Sequence, residues 1–595
     1  MKNIKIALTL GILAGLAFAG AADAATDVPA SDISTSTTWT KANSPYRLKG
    51  QVYVTNGASL TIEAGVIVAS LPADQGSLAI TRGSKIYVMG TKDEPVIMTS
   101  TNDTNAGDGP GSGTWREACL EWGNLTVMGD ALIANSYISG NTATPTGLNE
   151  SPMEGLTDPV KRLYGGDNDE DDSGEIHYLS LRYGGKVIGL ANELNGLSLG
   201  GIGRATDIDH VEIMNNVDDG IEIWGGTVNL KYVSIWNIGD DSFDVDQGWR
   251  GKAQFGLIVQ GYSIDASQGS GVGDNCLEID GAEDSDAQPV TTASIYNFTV
   301  IGQPATSNGG DGGTTWRDNA RVQYRNCIFM NVGGKVVRFD NLDGDGAQGY
   351  GHNGTLSWAA TWTTDYSHSH DWASTVNRYG ASEPAATDFR HPQMLYQAQV
   401  DGKLAEIKDS VFFQNANSAA YTEATARGVF DVANNNVQEP ANSPIQGITR
   451  LLNGGAGETK GGHTMYRVLS LNPCAANDAL TSVNTAPADG FFTPVKFRGA
   501  FSKDNNWLAG WTAADEFGLI VTAMNAADPT ATGELAKVET KTTFDTVAGV
   551  VYTIEKSSDM RNWVPVGVVT GTGNQMSFSD LDTFENGKFY RAIRQ

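Results

Sequence analysis

The feature that most limits what this chain can fold into is a repeat. Asp218-Asp219-Gly220-Ile221-Glu222-Ile223-Trp224-Gly225-Gly226 is answered 22 residues later by Asp240-Asp241-Ser242-Phe243-Asp244-Val245-Asp246-Gln247-Gly248. Each copy leads into an apolar strand, Val228 to Trp236 and Ala253 to Gln260, and each closes on glycine, Gly239 and Gly261. The preceding segment, Asn195 to Val217, reads as one more coil of slightly different length. Short β-runs alternating with Gly/Asp turns at this period predict a solenoid whose coils stack on one shared core. A single coil cannot hide its apolar row, so stacking is the fold. In Ile221-Glu222-Ile223 and Phe243-Asp244-Val245 apolar residues alternate with acids, which predicts Glu222 and Asp244 on the outer wall as a carboxylate ladder.

Composition agrees with a turn-rich all-β protein: 595 residues include 71 Gly and 13 Trp, and 18% are charged. The length exceeds one ordinary core but suits a solenoid with an appended domain. A formal net charge of -29 argues against nucleic acid or an anionic membrane as partner, and makes divalent cations the expected companions. Solubility alone also explains such a charge. Residues 1–24 carry Lys2 and Lys5, an apolar run from Ile6 to Gly20, and Ala22-Asp23-Ala24, the pattern of a secretory signal peptide. The expected location is therefore secreted, extracellular or at a bacterial cell surface, with no lipid anchor and no transmembrane segment. Cys119, Cys276, Cys327 and Cys474 match no metal-site spacing; their pairing stays open, with buried free thiols expected for Cys276 and Cys327.

Strands recur every dozen residues or fewer from Leu48-Lys49-Gly50-Gln51-Val52-Tyr53-Val54 through Ala58 to Val68, Leu78 to Ile80 and Lys85 to Gly90. This succession resembles the opening coils of right-handed parallel β-helix proteins of bacterial surfaces. Tyr164-Gly165-Gly166-Asp167, Tyr183-Gly184-Gly185, Gly200-Gly201-Ile202-Gly203 and Gly225-Gly226-Thr227-Val228-Asn229 are similar to an uncharacterised exported family of that kind. The resemblance implies a fold and no activity. The expected organisation is a right-handed parallel β-helix over residues 25–525, interrupted by an aromatic-rich insertion at 349–394, then a linker at 526–536 and a small C-terminal β-sandwich at 537–595. The sandwich is similar to sorting or attachment modules of secreted proteins. Phe497-Arg498-Gly499-Ala500-Phe501 with Trp507 and Trp511 resembles a closing motif, expected to cap the last coil.

Three acidic clusters and one aromatic segment are candidate sites. Asp167, Asp169, Asp171 and Glu175, with Asp172 among them, place oxygens at alternate positions of a Gly-bounded loop, as Ca²⁺ requires; a solvated acidic turn is the other reading. Tyr178 stands where an EF-hand loop would carry its glutamate. Asp340, Asp343 and Asp345 form a second such cluster. The third is the ladder itself. Val217-Asp218-Asp219-Gly220 and Gly239-Asp240-Asp241 resemble two motifs of the polygalacturonase-type glycoside hydrolases, one coil apart, which implies Asp219, Asp240 and Asp241 as acid and water-activating base. That family's downstream Gly-His-Gly and Arg-Ile-Lys are missing, leaving Arg250 as the nearest basic candidate; a pectate-lyase site would also want a proton-abstracting Arg or Lys beside Ca²⁺, for which Arg204, Lys231 and Arg250 are candidates that spacing does not rank. Alternative readings are a Ca²⁺ ladder and turn-forming acids that cap coils. In the insertion, Trp358, Trp362, Tyr366, His368, His370 and Trp372 suit a surface that stacks on sugar rings, a His-x-His metal site, or simple packing of the loop.

The function expected from these residues is an exported β-helix scaffold, calcium-stabilised, contacting an extracellular polysaccharide or another surface protein. The rival expectations are a polysaccharide hydrolase or lyase working on the Asp shelf, and a self-assembling surface-layer or sheath subunit. Whether the chain is an enzyme stays open, leaning against; its oligomeric state stays open too.

Overall fold

A computed structural model describes residues 25–135, 138–139, 149–189, 192–261, 273–281, 287–303, 312–318, 320–339, 363–366, 395–415, 434–438, 440–453, 465–476, 483–521, 538–557, 564–582 and 589–594. The predicted signal segment and most of the insertion at 349–394 lie outside them. So do Asp340, Asp343, Asp345, Trp358, Trp362, His368, His370 and Trp372.

The strands of the coils stack in parallel, as the repeat requires. Ile221–Trp224 pairs in register with Leu197–Gly200 below and Phe243–Asp246 above, and Asn275–Ile279 continues the pile. This wall is a ten-stranded sheet reaching from Asp32–Ile33 to Val337–Phe339. A second, 17-stranded sheet supplies the rest of each coil. Its long strands, Gly174–Gly184, Asp207–Asn216, Asn229–Ile238, Lys252–Val259 and Thr292–Ile301, each wrap two faces. The first half of Gly174–Gly184 pairs with Lys85–Met89 and the second half with Val96–Ser100, so the bend replaces an earlier turn.

In each the bend falls at a residue in the left-handed region: the rings Tyr178, His210, Tyr232 and Phe255, at φ of 48, 52, 59 and 62°, then Asn297 at 56°. A non-glycine residue there is strained by its Cβ. The rings offset the cost by stacking rung on rung, with centroids 4.1, 4.4 and 4.9 Å apart.

Inside the coils Ile221, Ile223, Phe243, Val245, Leu277 and Ile279 are fully buried, members of one continuous core. Burying such side chains contributes about 1.5–3 kcal/mol each, and every rung supplies the cover for the next. The right-handed parallel β-helix expected from the sequence is the architecture observed. All four cysteines are buried thiols outside any disulfide.

The segment 497–521 is no end cap. It runs along the outside of the stack as a strap: Gly499 N donates to Asn326 O, Trp507 and Trp511 stand edge-on to His210, and Glu516 pairs with Arg182. Beyond residue 537, Val538–Asp545 pairs with Gln575–Asp582, and Val551–Ser557 is flanked by Val564–Thr570 and Phe589–Arg594, all antiparallel. Among the described residues no helix is long and apolar enough to cross a membrane.

Candidate functional site

Stacking converts the 22-residue offset into adjacency. Asp218 and Asp219 turn the chain from Asp207–Asn216 into Ile221–Trp224, and Asp240 and Asp241 make the same turn one rung higher. Asp219 Oδ1 accepts a hydrogen bond from Asp241 N at 2.8 Å, and Asp241 Oδ1 accepts from Asn275 N at 2.6 Å, so each carboxylate ties its turn to the next. Asn216 donates to Asp219 O and Asn195 Oδ1 accepts from Asp219 N, which fixes the turn from below.

On the strands themselves Glu222, Asp244 and Glu278 stand directly above one another. Adjacent rungs of a parallel sheet lie about 4.8 Å apart, so these carboxylates are forced together. They point away from the core, as expected, yet they are not solvated: Asp218, Asp219, Glu222, Asp241 and Asp244 are each less than a tenth exposed. One oxygen from each of Asp219, Glu222 and Asp244 lies within 4.8 Å of the other two, and the same holds for Asp218, Asp219 and Asp240.

Such crowding raises proton affinity. Burial first, then the neighbouring carboxylates, push Asp218, Asp219, Glu222, Asp241 and Asp244 well above the usual range. The same causes push Asp240 up to about 6 and Glu278 up to about 8. Glu222 is hydrogen-bonded to Asp244 and to Asn195 Nδ2. Among the described residues none of Asp218, Asp219, Glu222, Asp240, Asp241 and Asp244 forms an ion pair.

Arg317 is a basic residue at the ladder, donating to Asp280 through Nε and to Glu278 Oε2 at 2.6 Å; Arg338, further along the same wall, pairs with Asp274. Arg250, expected to face the acids, is instead fully buried elsewhere, its guanidinium bonded to both oxygens of Asp169 at 2.6 and 2.8 Å and to Leu132 O. That pairing also removes Asp169 from the expected Ca²⁺ loop. Asp171 accepts from Ser173 Oγ, Glu175 lies on a strand beside His177, and Asp167 is exposed, so the four do not converge. Asp172 pairs with Lys85. Arg204 pairs with Glu170 and Lys231 donates to Phe491 O, both away from the shelf. Tyr366 is buried and donates to Tyr396 O, which makes it a packing residue rather than a sugar platform.

Sequence reasoning missed Glu278, Asp280, Arg317, Glu154 and Glu193. Cys276-Leu277-Glu278-Ile279-Asp280 does repeat Ser242-Phe243-Asp244-Val245-Asp246, but at an offset of 34, because a longer connection intervenes. Glu154 and Glu193 carry no periodic signal.

Comparison with curated proteins and with solved structures gave no match. A family model described as a pectate-lyase-like β-helix domain matches residues 31–375, a span that holds the repeat, the acidic ladder and Arg317. Since that match covers more than half of the 595 residues and the described strands stack as such a domain demands, the chain belongs to the pectate-lyase-like β-helix family.

Proposed function

We propose that the chain is an exported β-helix scaffold, extracellular or at the cell surface, that holds Ca²⁺ in its carboxylate ladder and offers its outer walls to a glycan or another surface protein. The observation that carries this reading is the trio Asp219, Glu222 and Asp244: buried, within 4.8 Å of one another, and without an ion-pair partner among the described residues. Three carboxylates so placed are costly as anions unless a cation or protons join them. Ca²⁺ takes six to eight oxygens at roughly 2.3–2.6 Å, and ligands on such a sphere are never more than about 5 Å apart, which the trio satisfies. The fit is to a hard divalent ion; no cysteine or histidine belongs to the trio.

A second reading, polysaccharide cleavage, draws support from the family match. The geometry favours it less. An inverting pair needs room between its carboxyl groups for a water, whereas one oxygen of Asp219 and one of Asp240 already approach within 4.8 Å. A lyase needs a base that can give up its charge, and burial beside Arg317 is outweighed by Asp280 and Glu278, which hold its guanidinium firmly protonated. A screen of acidic and neutral polysaccharides for binding and for cleavage, with Ca²⁺ and with chelator, separates the readings. Scaffolding predicts a Ca²⁺-dependent rise in melting temperature and binding without new chain ends; cleavage abolished by Asp219→Asn in a folded protein would overturn it.

A further inference from the structure

The ladder has a lower end that the repeat does not foretell. Glu154 follows the short strand Ser151–Pro152, which pairs back on Leu163–Tyr164 in an excursion from the helix. Glu193 lies on Asn192–Glu193, paired with Val187–Gly189 in another excursion. Asp218 belongs to the coil turn. One oxygen from each of these three acids lies within 4.8 Å of the others.

The approach is built by neighbouring residues. Gly155 N donates to Asn192 Oδ1 at 2.7 Å, and a Cβ on Gly155 would stand 2.1 Å from Leu194 Cδ2, at a φ of +68°. Only glycine lets the two excursions lie so close. Met153 and Leu156 anchor the first excursion in a buried cluster with Tyr164 and Trp224. Into this junction Asp218 brings a carboxylate that is 8% exposed and has no hydrogen-bond or ion-pair partner among the described residues. A buried acceptor left unpaired is expensive, and its neighbours here are two more carboxylates.

We propose that Glu154, Glu193 and Asp218 form a second Ca²⁺ site, one that pins both excursions to the stack. It shares no residue with Asp219, Glu222 and Asp244, although Asp218 and Asp219 of the two trios lie within 4.8 Å of each other and of Asp240. All three donors are carboxylate oxygens, the ligand class of a hard divalent cation, and their separation again suits its coordination sphere. The site rests on the same coordination chemistry as the proposed function but on different side chains, two of which, Glu154 and Glu193, belong to excursions rather than coils.

Native mass spectrometry and calorimetric titration of the purified chain with CaCl₂ test it. The intact protein should take up two ions. The double variant Glu154→Gln/Glu193→Gln, nearly isosteric, should take up one, whereas Asp219→Asn/Asp244→Asn should lose the other. Chelator should speed protease cleavage within residues 151–164 at least tenfold in the parent protein and leave the Glu154→Gln/Glu193→Gln rate unchanged. If that variant binds as many ions as the parent, with the same affinity and the same chelator-dependent cleavage, the second site is wrong while the trio of the proposed function stands. Loss of an ion from the glutamine variant alone would support the second site and count against the first.

Discussion

At the scale of single residues, Asp219 serves two roles that pull in different directions. Its Oδ1 stitches adjacent turns by accepting from Asp241 N, while its charge sits within reach of Glu222 and Asp244. Asp219→Asn keeps an acceptor and removes the charge. In chelator the variant should melt at or above the parent temperature, since a repulsion is relieved; in Ca²⁺ it should lose more than half of the cation-induced gain. For a site filled at a hundredfold excess over Kd that gain is about 2.7 kcal/mol, read by thermal denaturation. Asp169 is the contrasting case. Burial pushes its carboxyl up, but the charge and hydrogen bonds of Arg250 outweigh this and hold it below the usual range. Arg250→Met should therefore destabilise by about 3–5 kcal/mol, because it strands a buried anion. Equilibrium denaturation measures that loss, and a change under 1 kcal/mol would contradict the pairing. Nothing in the spacing of Asp169 and Arg250, 81 residues apart, hinted at their contact.

At the scale of the element, the acidic wall of strands sets a pH dependence. Asp240 and Glu278 have folded-state values pushed up to about 6 and about 8 by burial and by neighbouring acids. A carboxyl with a raised folded value binds its proton more tightly in the native state than in the unfolded chain. Its favourable contribution is present at low pH and is lost as pH rises from the unfolded value, about 4, through the folded one. In chelator, then, stability should fall between about pH 4 and 8, and Glu278→Gln should flatten the upper part of that fall. Saturating Ca²⁺ should abolish most of it; melting curves across this range decide. The wall was legible in part. Period-two alternation at Ile221-Glu222-Ile223 and Phe243-Asp244-Val245 fixed which side chains share a face, and the equal offset put them in register. Burial of that face was not legible, since what covers an outer wall depends on segments distant in the chain.

At the scale of the whole molecule, the strap shows what a repeat conceals. It crosses from the rung of Asn326 back to that of Arg182, a buried guanidinium shared by Asp103 and Glu516. Glu212 accepts from the N–H groups of Ala513 and Ala514. Phe497 to Trp511 stood out in the sequence as a closing motif, but rung periodicity carries no information about a segment that runs across the rungs. Arg182→Met should cost about 3–5 kcal/mol by leaving carboxylates unpaired, and should open residues 497–521 to protease before the coils unfold. Coils and strap lost together would contradict a separable strap. The architecture followed from the repeat because stacking is the one way to cover each rung; the lower acids, Glu154 and Glu193, did not, because they reach the ladder from excursions. The most direct measurement is anomalous X-ray diffraction from crystals grown in Ca²⁺ and, for contrast, in a lanthanide. The prediction is an ion roughly 2.3–2.6 Å from oxygens of Asp219, Glu222 and Asp244. Density without an ion between these carboxylates at saturating Ca²⁺ would contradict it.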